Sequence, residues 1–144
     1  ISLPLQMYKR KLLSKRIEVG KELDENVSAR CDSGQIHRIM LNLISNAMYA
    51  LGKKDVSDRK LDIHLHGKNG EVLLTVSDNG EGIGDDVLPH IFDYLYTTKN
   101  NHGSGIGLNT VKKIMDAHQG WIDVKSRPGK GTVFVLAFPE PGKQ

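Results

Sequence analysis

The apolar positions of this chain follow two rhythms: spacings of three and four places mark helices, and alternation marks strands. Leu5, Tyr8, Leu12 and Leu13 keep the first rhythm in "PLQMYKRKLLSKR", with Pro4 in a permitted first-turn place, and predict a helix over 4–16. "IEVGKEL" (17–23) alternates as a strand, and "NVSAR" (26–30) offers a short paired edge after a turn at Asp24 to Asn26. A much stronger helical signal follows, with apolar residues at 36, 39, 40, 43, 44, 47, 48 and 51. Asp32 or Ser33 can cap that helix and Gly52 can close it.

Downstream, the polar "KKDVSDRK" (53–60) reads as a turn region. "LDIHLHG" (61–67), the turn "NG" (69–70) and "EVLLTVSD" (71–78) form a hairpin. A glycine-rich turn leads to a short helix over 85–92 and then a loop. "IGLNTVKKIMDAHQG" (106–120) predicts a helix stopped by Gly120. "WIDVKS" (121–126), "RPGKG" (127–131) and "TVFVLAF" (132–138) close the chain as a second hairpin, with a frayed tail at 141–144. No repeat or internal linker interrupts this order. The expected fold is therefore an α/β two-layer sandwich over residues 1–140, with helices on one face of a mixed, largely antiparallel sheet.

Composition narrows the picture slightly. With 38% hydrophobic and 26% charged residues among 144, the chain is of ordinary globular type. The net charge is +3, but basic and acidic residues are interspersed. The densest basic run, 7–16, contains Leu12 and Leu13 and no aromatic platform, which reads as a solvated helix face and argues against nucleic acid as a partner. The single cysteine, Cys31, excludes an internal disulfide. It is expected to be a buried small residue in a reducing, cytoplasmic setting. No apolar run reaches the length of a membrane span, so no membrane contact is expected of this segment. The chain opens at Ile1 without a methionine, as a piece of a longer protein would, and the membrane anchoring of such a parent is left open.

Four small constellations carry chemistry. Asn42 and Asn46 stand one turn apart on one helix face and could offer amide oxygens to a hard cation. In "DNGEGIG" (78–84) an aspartate ends an apolar strand, and glycines follow on alternate positions. Such a carboxylate suits an exocyclic amine. A dinucleotide-binding fingerprint does not fit, because its third glycine and its downstream acid are both misplaced. "TTKNNHGSGIGL" (97–108) puts Gly103, Gly105 and Gly107 behind Lys99 and at a helix start, where free amides favour phosphate. "GKGT" (129–132) alone is a good turn.

Together and in this order, these motifs resemble the Bergerat-type ATPase superfamily. "HIFDYLYTTK" followed closely by "GSGIGL" resembles in particular the catalytic ATP-binding domain of a sensor histidine kinase with a short lid. The resemblance covers about residues 15 to 140. It implies ATP and Mg²⁺ as cofactors and transfer of the γ-phosphate to a histidine on a separate dimerisation domain, with a response regulator downstream. It also implies a role for each matching position. Asn46 would hold Mg²⁺, with Asn42 supporting the phosphates or a water. Asp78 would read the adenine amine, Gly80 and Gly82 would permit close approach, and Ile83 would pack on the ring. Phe92 would pin the lid base, while Thr98 and Lys99 would lie near the phosphates. Gly103, Gly105, Ile106, Gly107 and Leu108 would cradle the phosphates, and Thr132 would touch the adenine side.

Two departures bear on mechanism. Relatives often carry a lysine and then an aromatic where this chain has Tyr49 and Ala50, which leaves Lys99 as the phosphate-side cation. Hydrolytic relatives place a glutamate base where this chain has Asn42, and an amide cannot take a proton from water. None of the six histidines is followed by an acid, as the family's phosphoacceptor is. The acceptor is therefore expected on another domain. Two alternatives within the same fold stay open: an anti-sigma-type serine kinase, and a conformational module that binds nucleotide without transferring phosphate.

Overall fold

The computed structural model describes residues 2–24, 26–29, 31–53, 58–93 and 107–139. In chain order its elements are α1 (Ser2–Met7), α2 (Lys9–Ser14), β1 (Ile17–Leu23), α3 (Ser33–Leu51), β2 (Arg59–Lys68) and β3 (Glu71–Asp78), followed by a 3₁₀ turn (Leu88–His90), α4 (Gly107–Ala117), β4 (Trp121–Arg127) and β5 (Gly131–Pro139). The five strands form one sheet in the order β1-β2-β3-β5-β4. β1 runs parallel to β2, and the remaining pairs are antiparallel. The expected mixed, largely antiparallel sheet is what forms.

Register decides which face is apolar. Ile63 pairs with Val76 and Val76 with Phe134, while Leu74 pairs with Leu136. This continuous apolar surface packs with Ile39, Leu43, Ile44 and Leu51 of α3 and with Val111 and Met115 of α4, all buried. The alternate positions of β2, Asp62, His64 and His66, turn to the other face, where His64 Nδ1 lies 3.3 Å from a Glu22 oxygen. Among the described residues no group of three potential metal ligands assembles.

The helix ends follow local chemistry. Asp32 caps α3 by accepting from Gln35 N at 3.2 Å. His118 joins the two long helices: its Nε2 accepts from Asp32 N at 3.1 Å, which leaves Nδ1 to donate to the Ile114 carbonyl at 2.8 Å. Gly52 ends α3 in a right-handed conformation, φ −62°, and not in the left-handed one that glycine favours at a stop. Its carbonyl is taken by the Arg59 guanidinium, which also binds the Lys15 carbonyl. At the end of α4 it is Gln119, φ 55°, that turns left-handed. Gly120 is needed because a Cβ there would collide with the Ala137 carbonyl.

Five expectations need correction. The helix over 4–16 is two short helices divided at Tyr8, and Leu13 is 66% exposed while Leu5 and Leu12 are buried. The division lets one leucine from each piece reach the core. Residues 26–29 form no strand, because Asp24 makes the last bond to β2 and its side chain then accepts from Asn26 N, turning the chain away. Cys31 is exposed, since it sits on the loop outside the α3 cap. The segment 85–92 is a set of turns with one 3₁₀ turn, and Pro89 stands within it. β2 begins at Arg59, inside the stretch read as a turn region.

The β4–β5 turn yields a test of the packing. Gly129 has φ +78° with open space around the position a Cβ would take, whereas Gly131 has φ +121° and a Cβ there would strike the Asp78 carbonyl. Gly129→Ala should cost about 1 kcal/mol in urea unfolding, the penalty of a left-handed residue. Gly131→Ala should cost at least about 3 kcal/mol, because backbone cannot yield as a side chain can. Equal losses would contradict this packing.

Candidate functional site

The amide face of α3 meets the start of α4. Asn42 Nδ2 donates to the Gly107 carbonyl at 3.3 Å, so this half-buried side chain is pinned to the first residue of the second helix. Asn46, one turn on and also half-buried, has no hydrogen-bond partner among the described residues. Leu108, in the first turn of α4, packs against the core, and Asn109 Nδ2 donates to the Phe92 carbonyl at 2.9 Å. Phe92 also packs against the core. Both Phe92 and Gly107 are thus held by carboxamides.

Across from this face, β3 ends in Asp78, which stands in register between Leu61 and Thr132 on the buried side of the sheet. Its Oδ1 accepts from Gly80 N at 2.8 Å. Among the described residues no cation pairs with it. Burial is the main cause that pushes its carboxyl up, to about 6; the Gly80 N–H pulls the other way, and the charge of Glu81 adds to the rise. An isolated, partly desolvated carboxylate is a strong acceptor in search of a donor.

The loop after Asp78 is wedged between two parts of the protein. A Cβ at Gly80 would lie 2.8–2.9 Å from Ala50 atoms, and Gly82, φ +74°, crowds the Arg127 carbonyl. These glycines are therefore demanded by α3 and by the β4–β5 hairpin, not by a ligand alone. Ala50, where relatives often have an aromatic, leaves the room that Gly80 uses. Asn79 stitches the loop to β2: its Oδ1 accepts from Lys60 N and its Nδ2 donates to the Asp58 carbonyl, both at 2.8 Å. Gly129 N donates to the Glu81 carbonyl at 2.7 Å, and Ile83 N donates to Ser126 Oγ at 2.7 Å. Ile83 itself packs against the core. Thr132 is buried beside Asp78, with its hydroxyl 2.8 Å from Ser126 Oγ.

The structure thus brings Asp78, Gly80, Gly82, Ile83 and Thr132 together in one group, and Asn42, Gly107, Leu108 and Phe92 in another, with Asn46 on the face of α3 that carries Asn42. Thr98, Lys99, Gly103, Gly105 and Ile106 lie outside the described residues. Tyr49, at the place of the relatives' lysine, carries a different cation: Lys53 Nζ sits 4.9 Å from its ring centroid and 3.8 Å from Glu81. Sequence reading missed Asn79, Asn109 and Ser126. Ser126 was accessible in principle, because the hairpin register places it opposite Thr132.

Residues 31–142 match the family described as histidine kinase-, DNA gyrase B-, and HSP90-like ATPase. The chain belongs to this ATPase family. Within the family it is 33% identical, over 92% of its length, to a probable C4-dicarboxylate sensor kinase of Bacillus subtilis (strain 168), of which it covers 27%. To the sensor histidine kinase ZraS of Salmonella typhimurium (strain LT2) it is 36% identical over 80% of its length, covering 24% of that protein. It spans about a quarter of the length of these curated relatives. The catalytic domain of the histidine kinase ThkA superposes with a TM-score of 0.86 at 27% identity, covering 99% of this chain and 92% of that one. A second ThkA structure, in complex with the response regulator protein TrrA, superposes at 0.78 with 25% identity, covering 96% of this chain and 39% of that one. The two-layer fold of this ATPase family is the fold seen here.

Asp78 also makes a stability prediction for the family member in hand. The folded chain keeps this proton to about pH 6, against 3.8 ordinarily. Ionising it therefore opposes folding, and its contribution falls as pH rises between those values and stays low above them. Asp78→Asn keeps an acceptor for Gly80 N but removes the charge. It should stabilise the nucleotide-free chain by about 1–3 kcal/mol at pH 7.5 and by little at pH 4, read by urea unfolding. A destabilised variant at pH 7.5 would contradict the assigned environment.

Proposed function

We propose that residues 1–140 are the ATP-binding catalytic domain of a cytoplasmic sensor histidine kinase module, which passes the ATP γ-phosphate to a histidine on a separate helical dimerisation domain. The observation that carries this reading is Asp78, a half-buried carboxylate without a cation among the described residues, at the mouth of the glycine loop beside α3. An adenine edge supplies a second N–H donor, beside the Gly80 N–H that Oδ1 already accepts. From there the triphosphate runs toward Asn42, Asn46 and the start of α4, the positive end of a helix dipole.

The metal fits the donor set. Asn46 offers an uncommitted amide oxygen, a hard donor of the kind such a cation takes. That pattern suits Mg²⁺, which keeps waters and phosphate oxygens as most of its ligands. When bound, the ion neutralises phosphate charge. The chain's own residues bind and orient: Asp78 fixes the base, Asn46 faces the phosphates, and Asn42 holds the start of α4. Lys99 and Thr98, by their place in the sequence, serve the phosphates, and Gly103, Gly105 and Ile106 complete the cradle with Gly107. The acceptor imidazole nitrogen attacks the γ-phosphorus in line, the bond to the β,γ-bridging oxygen breaks, and ADP leaves with that electron pair. The histidine's proton passes to solvent. A response regulator then receives the phosphoryl group, a step supported by the ThkA complex with its regulator.

Asn42 shapes what the chain does alone. With an amide where hydrolytic relatives have a glutamate, no side chain there activates water. The 144-residue chain should bind Mg-ATP, turn it over well below ~1 s⁻¹ and not label itself. With the parent's dimerisation domain added, radiolabel from γ-³²P-ATP should appear on a histidine of that domain. Asn46→Ala should abolish that transfer while adenosine still binds. Stable phosphohistidine within residues 1–144, or transfer unchanged in Asn46→Ala, would contradict the proposal.

A further inference from the structure

Which hydroxyl donates to which decides what the start of β5 presents beside Asp78. Ser126 Oγ lies 2.7 Å from Ile83 N, 2.9 Å from the Gly131 carbonyl oxygen and 2.8 Å from Thr132 Oγ1. A backbone N–H only donates, a carbonyl only accepts, and serine has one hydroxyl proton. Ser126 therefore accepts from Ile83 and donates to Gly131. Its third contact then requires the proton of Thr132. Thr132, only 5% exposed, is left with lone pairs and no donor to present.

Thr132 stands directly across from Asp78 in the β3–β5 register, on the same face of the sheet. Side chains so paired have Cβ atoms about 5 Å apart, close enough for one ligand edge to span both. One Asp78 oxygen is already committed to Gly80 N, and the other is an acceptor. Two adjacent side chains thus offer acceptors, and neither offers a donor.

We propose that Ser126 is a positioning residue for base selection: by holding the proton of Thr132, it makes Thr132 and Asp78 a pair of acceptors that takes an amine-bearing base edge and rejects a carbonyl edge. The inference rests on the nucleotide reading above and adds a second determinant beside the carboxylate. A 6-amino purine donates to such a pair. At the 6-position itself a 6-oxo purine turns lone pairs toward both acceptors, its N1–H reaches them only if the base shifts along the edge, and Thr132 cannot turn to donate without giving up its bond to Ser126. A buried acceptor left facing another acceptor discriminates strongly, because neither finds a partner.

The test is calorimetric binding, to the 144-residue chain, of ATP and of inosine triphosphate, which replaces the 6-amine by a carbonyl and carries a proton on N1. Ser126→Ala frees the Thr132 hydroxyl to donate to the base, so the preference for ATP should fall by about tenfold. Ser126→Thr restores a hydroxyl in the same place and should keep the wild-type preference. Thr132→Val removes the second acceptor and should also lower the preference, which decides the matter even if Ser126→Ala does not fold. Loss of affinity for both nucleotides by one factor, with the wild-type ratio kept in Ser126→Ala or in Thr132→Val, would overturn the inference. So would a ratio lost equally in Ser126→Thr and Ser126→Ala. Failure of the wild-type chain to bind ATP would instead overturn the function proposed above, and this inference with it.

Discussion

The end of β3 is held by crowding. Gly80 lies against Ala50 of α3, Gly82 against the Arg127 carbonyl, and Gly131 against the backbone of Asp78. None of these three approaches leaves space for a Cβ, so the loop after Asp78 has one place to be. Hydrogen bonds then close what packing has set, from Asn79 to β2, from Gly129 to Glu81 and from Ile83 to Ser126. The consequence is electrostatic. A carboxylate fixed on the buried side of the sheet, without a cation among the described residues, is held well above its ordinary value by desolvation. The fold keeps Asp78 in a state that is costly by about 1–3 kcal/mol at neutral pH and that a donating ligand relieves. Under the proposed function, stability is traded locally for a binding group.

The same wedge organises what stands beside Asp78. The β4–β5 hairpin that holds the loop also carries Thr132, so Asp78 and Thr132 sit on the paired strands β3 and β5 next to the β4–β5 turn. The second group, around Asn42 and Asn46, is built on α3, whose opposite face contributes seven buried residues to the core. Its geometry is therefore set by a helix whose apolar face is buried along its length. Asn42 passes that order to α4 through Gly107. Rigid elements thus set both groups, the arrangement that orientation-dependent transfer requires.

Much of this is legible in the sequence, and the reason differs by element. α3 and the β2–β3 hairpin announce themselves because one face of each is buried, which forces a clean period. Asp78 and the glycines are visible because a charged strand end followed by alternating glycines has few structural uses. The split at Tyr8 is not legible, since bonds from Tyr8 N to Pro4 and from Leu12 N to Tyr8 keep helical spacing on both sides of the bend. Gly52 and Gly120 have the sequence positions of left-handed stops, yet Arg59 closes one helix and Gln119 turns the other. Arg59 lies seven residues beyond Gly52, and Gly120 answers to the Ala137 carbonyl on β5, so neither closure is written in the helix itself. Ser126 is legible only in part: the hairpin register sets it opposite Thr132, but its contact with Ile83 depends on how the loop after Asp78 folds back.

The most direct test of this account is the titration of Asp78 itself. Site-resolved ¹³C NMR of its carboxyl in the 144-residue chain should show a midpoint near 6 without nucleotide, against 3.8 for an ordinary aspartate. Saturating Mg-ATP should move that midpoint down, because a donated hydrogen bond from the base favours the ionised form. A carboxyl that titrates near its ordinary value in the free chain, or one that ATP binding leaves unmoved, would contradict the claim that this buried carboxylate reads the nucleotide.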